Sequence, residues 1–480
     1  MQTRRIRKVV KNHPTVSLAT SKAMYALRPV AYASWWKAAI ARTVAAAGCV
    51  ALVGCASLAT KAERRGGDAV TTWTLIGDYY GNGAANWRTL AIMQTAMHDA
   101  LNAAHPVYGR WWPAAAGEPA ADGADPDVAM AAAAAEVLEL LHPEREAETE
   151  LAFASIMARY PDDASKEAGR TLGRAIGRAA VARRATDGFD EEHYFQGTDA
   201  PGRWRPTPNL LATSRTNDIR PFLFAAVSDV PTLPPPVLGT SQYDQELAET
   251  LRVGGVHSSE RTSEQTTDAF FWAYQNSQRG FVDLAVRLLA EHRPRGGLYV
   301  EARIMAELTA ALADSAILTW NAKARYSFWR PITAIRASAD ATWSPLIETP
   351  PFPEYPSGHA TDCYVGAGVL EAAFPDLAGP VVYLSSAHMD PLDHRELPVQ
   401  PTIYAMGQHA ETAPADAPGG RALSFSSLAA AATNCANSRI WAGAHFSAAA
   451  VESKRLAGVI VDRALGATPA VLASPRVASQ

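Results

Sequence analysis

Three separated stretches of the sequence combine cationic, hydroxyl and imidazole side chains in otherwise apolar surroundings. The first is Lys323-Ala-Arg-Tyr-Ser-Phe-Trp-Arg330-Pro331. Seven residues are close to two helical turns, so Lys323 and Arg330 are expected on one face, with Pro331 ending or bending the helix. Two cations without a carboxylate at matching spacing make half of an anion clamp. A solvated basic face is the plainer account, and the neighbouring Phe328, Trp329 and Ile332 argue for burial instead. The second stretch is Pro350-Pro-Phe352-Pro-Glu-Tyr-Pro-Ser357-Gly358-His359-Ala360. Its prolines exclude helix before Ser357, so Ser357, Gly358 and His359 should open a helix. There, free amides and the dipole favour an anion, Gly358 allows close approach and Ser357 adds a hydroxyl. The third stretch is Asn434-Cys-Ala-Asn-Ser438-Arg439-Ile-Trp441-Ala-Gly443-Ala-His445-Phe446. Arg439 and His445 would diverge on a continuous helix, and a break at Ala442-Gly443 would turn both toward one cavity. Taken singly, each stretch has a structural explanation: an ordinary capped helix start, or a satisfied core histidine.

The elements that must bring these groups together read as helices. Apolar residues recur at helical spacing over 87–104, and Ala-, Glu- and Arg-rich segments cover 127–141, 144–160 and 164–187. Residues 188–239 turn irregular and proline-rich, a connection long enough to wrap the surface or line a site. Helical pattern returns over 243–253, 262–274, 281–291 and 299–329. Helices over 359–374 and 423–440 frame an insertion-like loop, 375–420, and a last helix covers 443–465. With no internal repeat and no clear strand run, the expected fold class is all-α. The expected divisions are 1–55, 56–240, 241–465 and a 466–480 tail.

Composition limits the alternatives. The 480 residues carry 44 Lys+Arg against 48 Asp+Glu, a net charge of −4, which gives no overall pull on nucleic acid. Four cysteines exclude a disulfide-dense scaffold, and no C-x-x-C pair suggests zinc. The N-terminus is basic, and Thr43–Thr60 is uncharged and ends near Leu52-Val-Gly-Cys55-Ala-Ser57. That layout resembles a bacterial lipoprotein signal, which implies cleavage before Cys55 and lipidation of its sulfur. An uncleaved membrane anchor is the alternative.

Lys-x6-Arg-Pro, Pro-Ser-Gly-His and Ser-Arg-x5-His, in this order, resemble the signature of the vanadium haloperoxidase and type 2 phosphatidic-acid phosphatase superfamily. Residues 328–336 and 350–360, with Met97-His98-Asp99-Ala100-Leu101-Asn102-Ala103 and Trp204-Arg205-Pro206-Thr207-Pro208, look like its bacterial vanadium-dependent haloperoxidase branch. The resemblance extends over roughly 75–465. It implies two packed helical bundles and vanadate as cofactor. Lys323, Arg330, Ser357, Gly358 and Arg439 would hold its oxygens, His445 would bind vanadium, and His359 would serve as acid–base group. Hydrogen peroxide would oxidise halide to hypohalous acid, which halogenates an organic acceptor. Trp320 and Phe352 resemble the aromatic halide pocket, with plain core packing as the alternative.

The same cage suits an acid phosphatase, with His445 as nucleophile and His359 protonating the leaving group. In that branch an aspartate four residues after the second histidine usually orients it. Here Ala449 occupies that position, so Glu452 or Asp99 would have to substitute. A lipoprotein that only binds oxyanions is the non-enzymatic reading. Two side features complete the expectations. Cys363 and Cys435 flank the proposed cage, where they are either bridged or two buried thiols. His388, Asp390, Asp393, His394 and His409 make a weak metal-like cluster or a polar loop.

Overall fold

Alanine-, leucine- and arginine-rich runs form helices close to where periodicity puts them. The computed structural model describes residues 69–80, 86–190, 193–206, 213–214, 218–274, 276–294, 296–377, 382–385, 388–389, 396–397 and 422–467. These belong to one compact unit, Ala51–Gln480. Among them the N-terminal helices are α1 (Ala69–Tyr80), α2 (Asn86–Ala104), α3 (Pro126–Leu141), α4 (Glu146–Met157) and α5 (Ala164–Arg184). After the irregular connection come α6 (Ser241–Val253), α7 (Ser263–Tyr274), α8 (Ser277–His292), α9 (Gly297–Tyr326) and α10 (Pro331–Ser338). The last three are α11 (Gly358–Ala373), α12 (Leu428–Trp441) and α13 (Ser447–Ala467). The all-α expectation holds. The described strands are three short antiparallel pairs: β1 (His193–Tyr194) with β2 (Thr213–Ser214), β3 (Val382–Ser385) with β6 (Ala422–Phe425), and β4 (His388–Met389) with β5 (Glu396–Leu397).

Two helix groups share one long helix. In the first, α2, α3 and α5 pack on one another, and α4 adds to α3; in the second, α11 packs on α12, α13 and α8. The 30-residue α9 touches α2 on one side and α11 on the other. At 1.5 Å per residue it is about 45 Å long, enough to run through both groups.

The first group is held by small residues. Ala129 and Ala131–Ala135 of α3 are fully buried, and α5 faces them with Gly169, Gly173 and Gly177 at one-turn spacing. A Cβ on Gly173 would run into the carbonyl oxygen of Ala129, and one on Gly177 would lie 2.8 Å from that of Ala133. The helix backbones are therefore nearly in contact, a packing that only glycine permits here.

Several helix boundaries differ from expectation, and two of them bear on the site. The 299–329 helix stops at Tyr326, because Ser327 adopts φ 44° and turns the chain out. The 423–440 helix begins only at Leu428, since 422–425 pairs with β3. Cys55, the 1–55 segment and most of the 375–420 loop, with Asp390, Asp393, His394 and His409, lie outside the described residues. Among the described residues no helix is long and apolar enough to cross a membrane.

The glycine contact can be tested by two substitutions in urea unfolding. Gly173→Val should cost about 2 kcal/mol or more through overpacking. Gly458→Ala, on exposed helix surface with nothing within 4 Å of an added Cβ, should be neutral or stabilising by about 0.5 kcal/mol. Equal effects would show that α3 and α5 can separate freely.

Candidate active site

Arg330 reaches the site by a route other than the one its spacing suggests. It does not share a helix with Lys323: the chain leaves α9 at Ser327, and Arg330 sits extended (φ −78°, ψ 155°) as the residue before α10. Pro331 enforces that conformation on its predecessor and starts the next helix. The turn between is fixed from outside. The Trp204 amide donates to the Ser327 carbonyl at 2.8 Å, and the Trp329 amide to the Gly202 carbonyl at 3.2 Å. Trp204 is fully buried, so the Trp204-Arg205-Pro206 motif braces the arginine's turn.

The second segment is clamped by Lys323. Its ammonium donates to the carbonyls of Pro353 and Glu354, both at 2.9 Å, and of Pro356 at 2.5 Å. An ammonium has three N–H groups, so the Pro-rich loop takes all of them. Burial, then Arg330 and Arg439, hold Lys323 well below its ordinary pKa, while Glu354 opposes. Beyond the loop, Ser357 caps α11, its Oγ accepting from the Ala360 amide. The Gly358 Cα is open toward the cavity: an added Cβ would meet nothing closer than Thr319 Cγ2 at 3.9 Å. A larger residue would fill that space.

The third segment breaks as expected. Helix α12 ends at Trp441, Gly443 takes φ 72°, and the Arg439 carbonyl accepts from the amides of Ala444 (3.0 Å) and His445 (3.2 Å). Gly443 is needed both for this conformation and for space, because a Cβ would strike the Gly254 carbonyl.

The three segments meet. A cavity of about 160 Å³ is lined by Lys323, Gly358, His359, Arg439 and His445, with Trp320 and Phe352 beside them. Arg330 lies behind His445, its Nη1 3.1 Å from His445 Nε2 and 2.8 Å from the Ala444 carbonyl oxygen. Its Nε donates to the Phe352 carbonyl at 2.8 Å, and its guanidinium stacks 4.9 Å from the Phe352 ring centre. Trp320 and Phe352 are themselves in contact, with ring centres 4.7 Å apart. Ser357 abuts the cavity as the residue before Gly358.

His445 is oriented by a residue the sequence reading passed over. Its Nδ1 lies 2.9 Å from Glu354 Oε1, which also accepts from the Phe446 amide at 3.0 Å. Because Arg330 offers N–H to Nε2, that nitrogen carries the lone pair and the proton sits on Nδ1. Burial, reinforced by Arg330, Lys323 and Arg439, holds His445 well below its usual pKa, so it is a neutral base. Burial pushes the Glu354 carboxyl up to about 7, against the pull of Arg330 and Lys323. The two suggested substitutes for the missing aspartate are occupied elsewhere. Glu452 accepts from the Leu233 amide and pairs with Arg455, and Asp99 accepts from the Trp111 and Trp112 amides. Glu354 had one available signal: it is the only acid within 350–360.

The donor set suits a tetrahedral oxyanion. Arg439 is almost fully buried, and its Nε and Nη1 have no hydrogen-bond partner among the described residues. Burial alone lowers it only to about 10, so it stays charged at neutral pH. An unpaired buried guanidinium costs several kcal/mol, as an order of magnitude, unless an anion meets it. The opening of α11 adds amide groups and a favourable dipole on the same cavity.

Comparison with known proteins gives this arrangement a context. Residues 303–472 match the family model of the VCPO second helical-bundle domain. A vanadium chloroperoxidase of Curvularia inaequalis is 29% identical over 153 residues, which cover 25% of this chain and 25% of that protein. The chain thus spans about a quarter of the length of the curated relative it matches. The crystal structure of the first bacterial vanadium-dependent iodoperoxidase aligns over 85% of this chain and 97% of its own, with TM-score 0.65 and 20% identity. A holo-type bacterial vanadium-dependent chloroperoxidase aligns over 79% and 90%, with TM-score 0.57 and 16% identity. This is the vanadium haloperoxidase fold. The resemblance read from the sequence and the expected helical architecture are both borne out.

Helices α11 and α12, which carry His359 and Arg439, are joined by a Cys363–Cys435 disulfide. Of the two alternatives open from sequence, the structure has the bridge. Its ends are 72 residues apart, for which chain entropy gives about 4 kcal/mol of stabilisation. Peptide mapping without reductant should recover the linked pair; alkylation of both thiols under those conditions would rule the bridge out.

Proposed function

We propose that the protein is a vanadate-dependent haloperoxidase that uses hydrogen peroxide to oxidise halide to hypohalous acid, which halogenates an organic acceptor. The observation that carries this reading is the buried Arg439, with two nitrogens that have no hydrogen-bond partner among the described residues, facing the same cavity as neutral His445 and the Trp320–Phe352 pair. The likeness to vanadium haloperoxidases supports it.

In this proposal Arg330, Arg439, Ser357 and the Gly358 amide would hold the oxygens of vanadate, and His445 Nε2 would supply the bond to vanadium. Lys323 adds charge, and one of its three carbonyl contacts would yield if it were to touch an oxygen. Bound vanadate would supply a Lewis acid that activates peroxide toward halide without a change of metal oxidation state. Glu354 keeps the proton on Nδ1, so the lone pair stays on Nε2, where it accepts from Arg330 and would have to pass from that contact to vanadium. His359, at the amino end of α11, would serve as the acid–base group, taking and returning a proton at the cavity. Trp320 and Phe352 form an apolar wall where a weakly hydrated halide could approach the cationic groups.

One observation favours a second reading, acid phosphatase activity. The Glu354–His445 contact provides the carboxylate–histidine pair that a phosphohistidine route requires, in place of the aspartate that Ala449 replaces. Localisation belongs to the same proposal: an exported, periplasmic or cell-surface protein tethered through lipid on Cys55. The Cys363–Cys435 bridge supports an oxidising compartment.

Protein loaded with orthovanadate should brominate a phenol indicator in the presence of peroxide and bromide. Vanadate-inhibited phosphomonoester hydrolysis without halide oxidation would reverse the assignment, and anion binding without either turnover would make it a binding protein. His445→Ala should abolish whichever activity appears. Glu354→Gln should weaken vanadate binding by about 10- to 100-fold, as loss of a carboxylate behind a histidine ligand does. Unchanged vanadate affinity in a folded Glu354→Gln protein would mean that the carboxylate only fills space.

A further inference from the structure

We infer that Asp362, with Ser277, Gln278 and Ser315, forms a subsite in the active-site cavity for the ammonium group of an organic acceptor. Asp362 lies one turn beyond Gly358 on α11, about 6 Å further along the helix axis, and lines the same cavity. Its Oδ1 accepts from Ser315 Oγ at 2.6 Å and Gln278 Nε2 at 3.1 Å, and its Oδ2 from Ser277 Oγ at 2.8 Å. A carboxylate offers about four acceptor positions, so one is left.

The charge is what needs explaining. All three donors are neutral, and none of the groups acting on the carboxyl among the described residues is a cation. Burial raises it to about 6, which leaves it largely ionised at neutral pH. It sits deep in the protein yet retains accessible surface, as a group facing an internal cavity does. Buried charges are ordinarily paired. Thr319 is a second, independent sign of a ligand. It lies between Ser315 and Lys323 on the same face of α9, and its buried Oγ1 has no hydrogen-bond partner among the described residues.

The cavity therefore has opposite charges along its length: Lys323 and Arg439 at one end and Asp362 at the other. Trp87, Trp320 and Phe352 line it as well. A molecule with an ammonium head and an aromatic body fits these features, with its far end toward the cage. A hard divalent cation fits less well, since it gathers several carboxylates and Asp362 is the one carboxylate among the described residues lining the cavity. What happens to the bound acceptor rests on the proposed oxidation; its binding does not.

The test is calorimetric titration of the full-length, vanadate-free protein in phosphate buffer. The probes are tyramine, its neutral analogue N-acetyltyramine, and p-cresol. Wild type should bind tyramine about tenfold or more tighter than either neutral phenol, the scale of one charge-assisted contact. Asp362→Asn should bring tyramine to the level of N-acetyltyramine. Equal binding of tyramine and N-acetyltyramine by wild type would overturn the subsite, a result that needs no variant to fold. So would a preference surviving in Asp362→Asn, or calcium acetate, added in a phosphate-free buffer, displacing tyramine through tighter binding at Asp362. No peroxide or halide is present. Loss of the preference would thus leave the oxidation proposal standing, and lack of turnover would leave the subsite standing.

Discussion

Positive charge buried around one cavity is the constraint on which the rest of the site depends. Lys323, Arg330 and Arg439 are each almost fully buried, and repel one another across the space they share. Such a cluster persists only if backbone carbonyls, a carboxylate or an anion compensate it. The three cations solve this differently. Lys323 is saturated by carbonyls, Arg330 divides its donors between carbonyls and His445, and Arg439 is left facing the cavity. The division separates what is structural from what is offered to a ligand.

The same logic explains the proline-rich loop. Residues 350–356 are poor helix formers, and the carbonyls of Pro353, Glu354 and Pro356 take no backbone hydrogen bond from within the loop. They can converge on the Lys323 ammonium, and this convergence holds Glu354 where it can reach His445. Charge neutralisation, loop shape and histidine tautomer are thus one coupled arrangement. Removing the lysine would disturb all three, even though its own donors point at the loop.

Scaffold and site are also coupled through helix ends. Helix α9 links the two packing groups and delivers Thr319, Trp320 and Lys323; α11 begins at the cavity; and α12 stops there. The disulfide ties α11 to α12 near the ends that matter. Small-residue contacts between α3 and α5 keep the first group dense, and it gives the cavity wall Trp87 of α2.

Much of this was legible in the amino-acid order. Helical periodicity identified nearly every long helix, because an amphipathic pattern is local. Local rules also located the capped start of α11 and the break at Gly443. The three charged stretches stood out because such residues are rare in apolar company. Other features were decided only when the chain folded. Arg330 reaches His445 through a turn braced by Trp204, from a segment more than a hundred residues earlier. Glu354, rather than Glu452 or Asp99, meets His445 across 91 positions. Asp362 became a half-buried carboxyl facing the cavity because α8 and α9 bring it neutral donors alone. Spacing describes neighbours along one element; which carboxylate faces which base depends on contacts between elements, and those exist only in the packed protein.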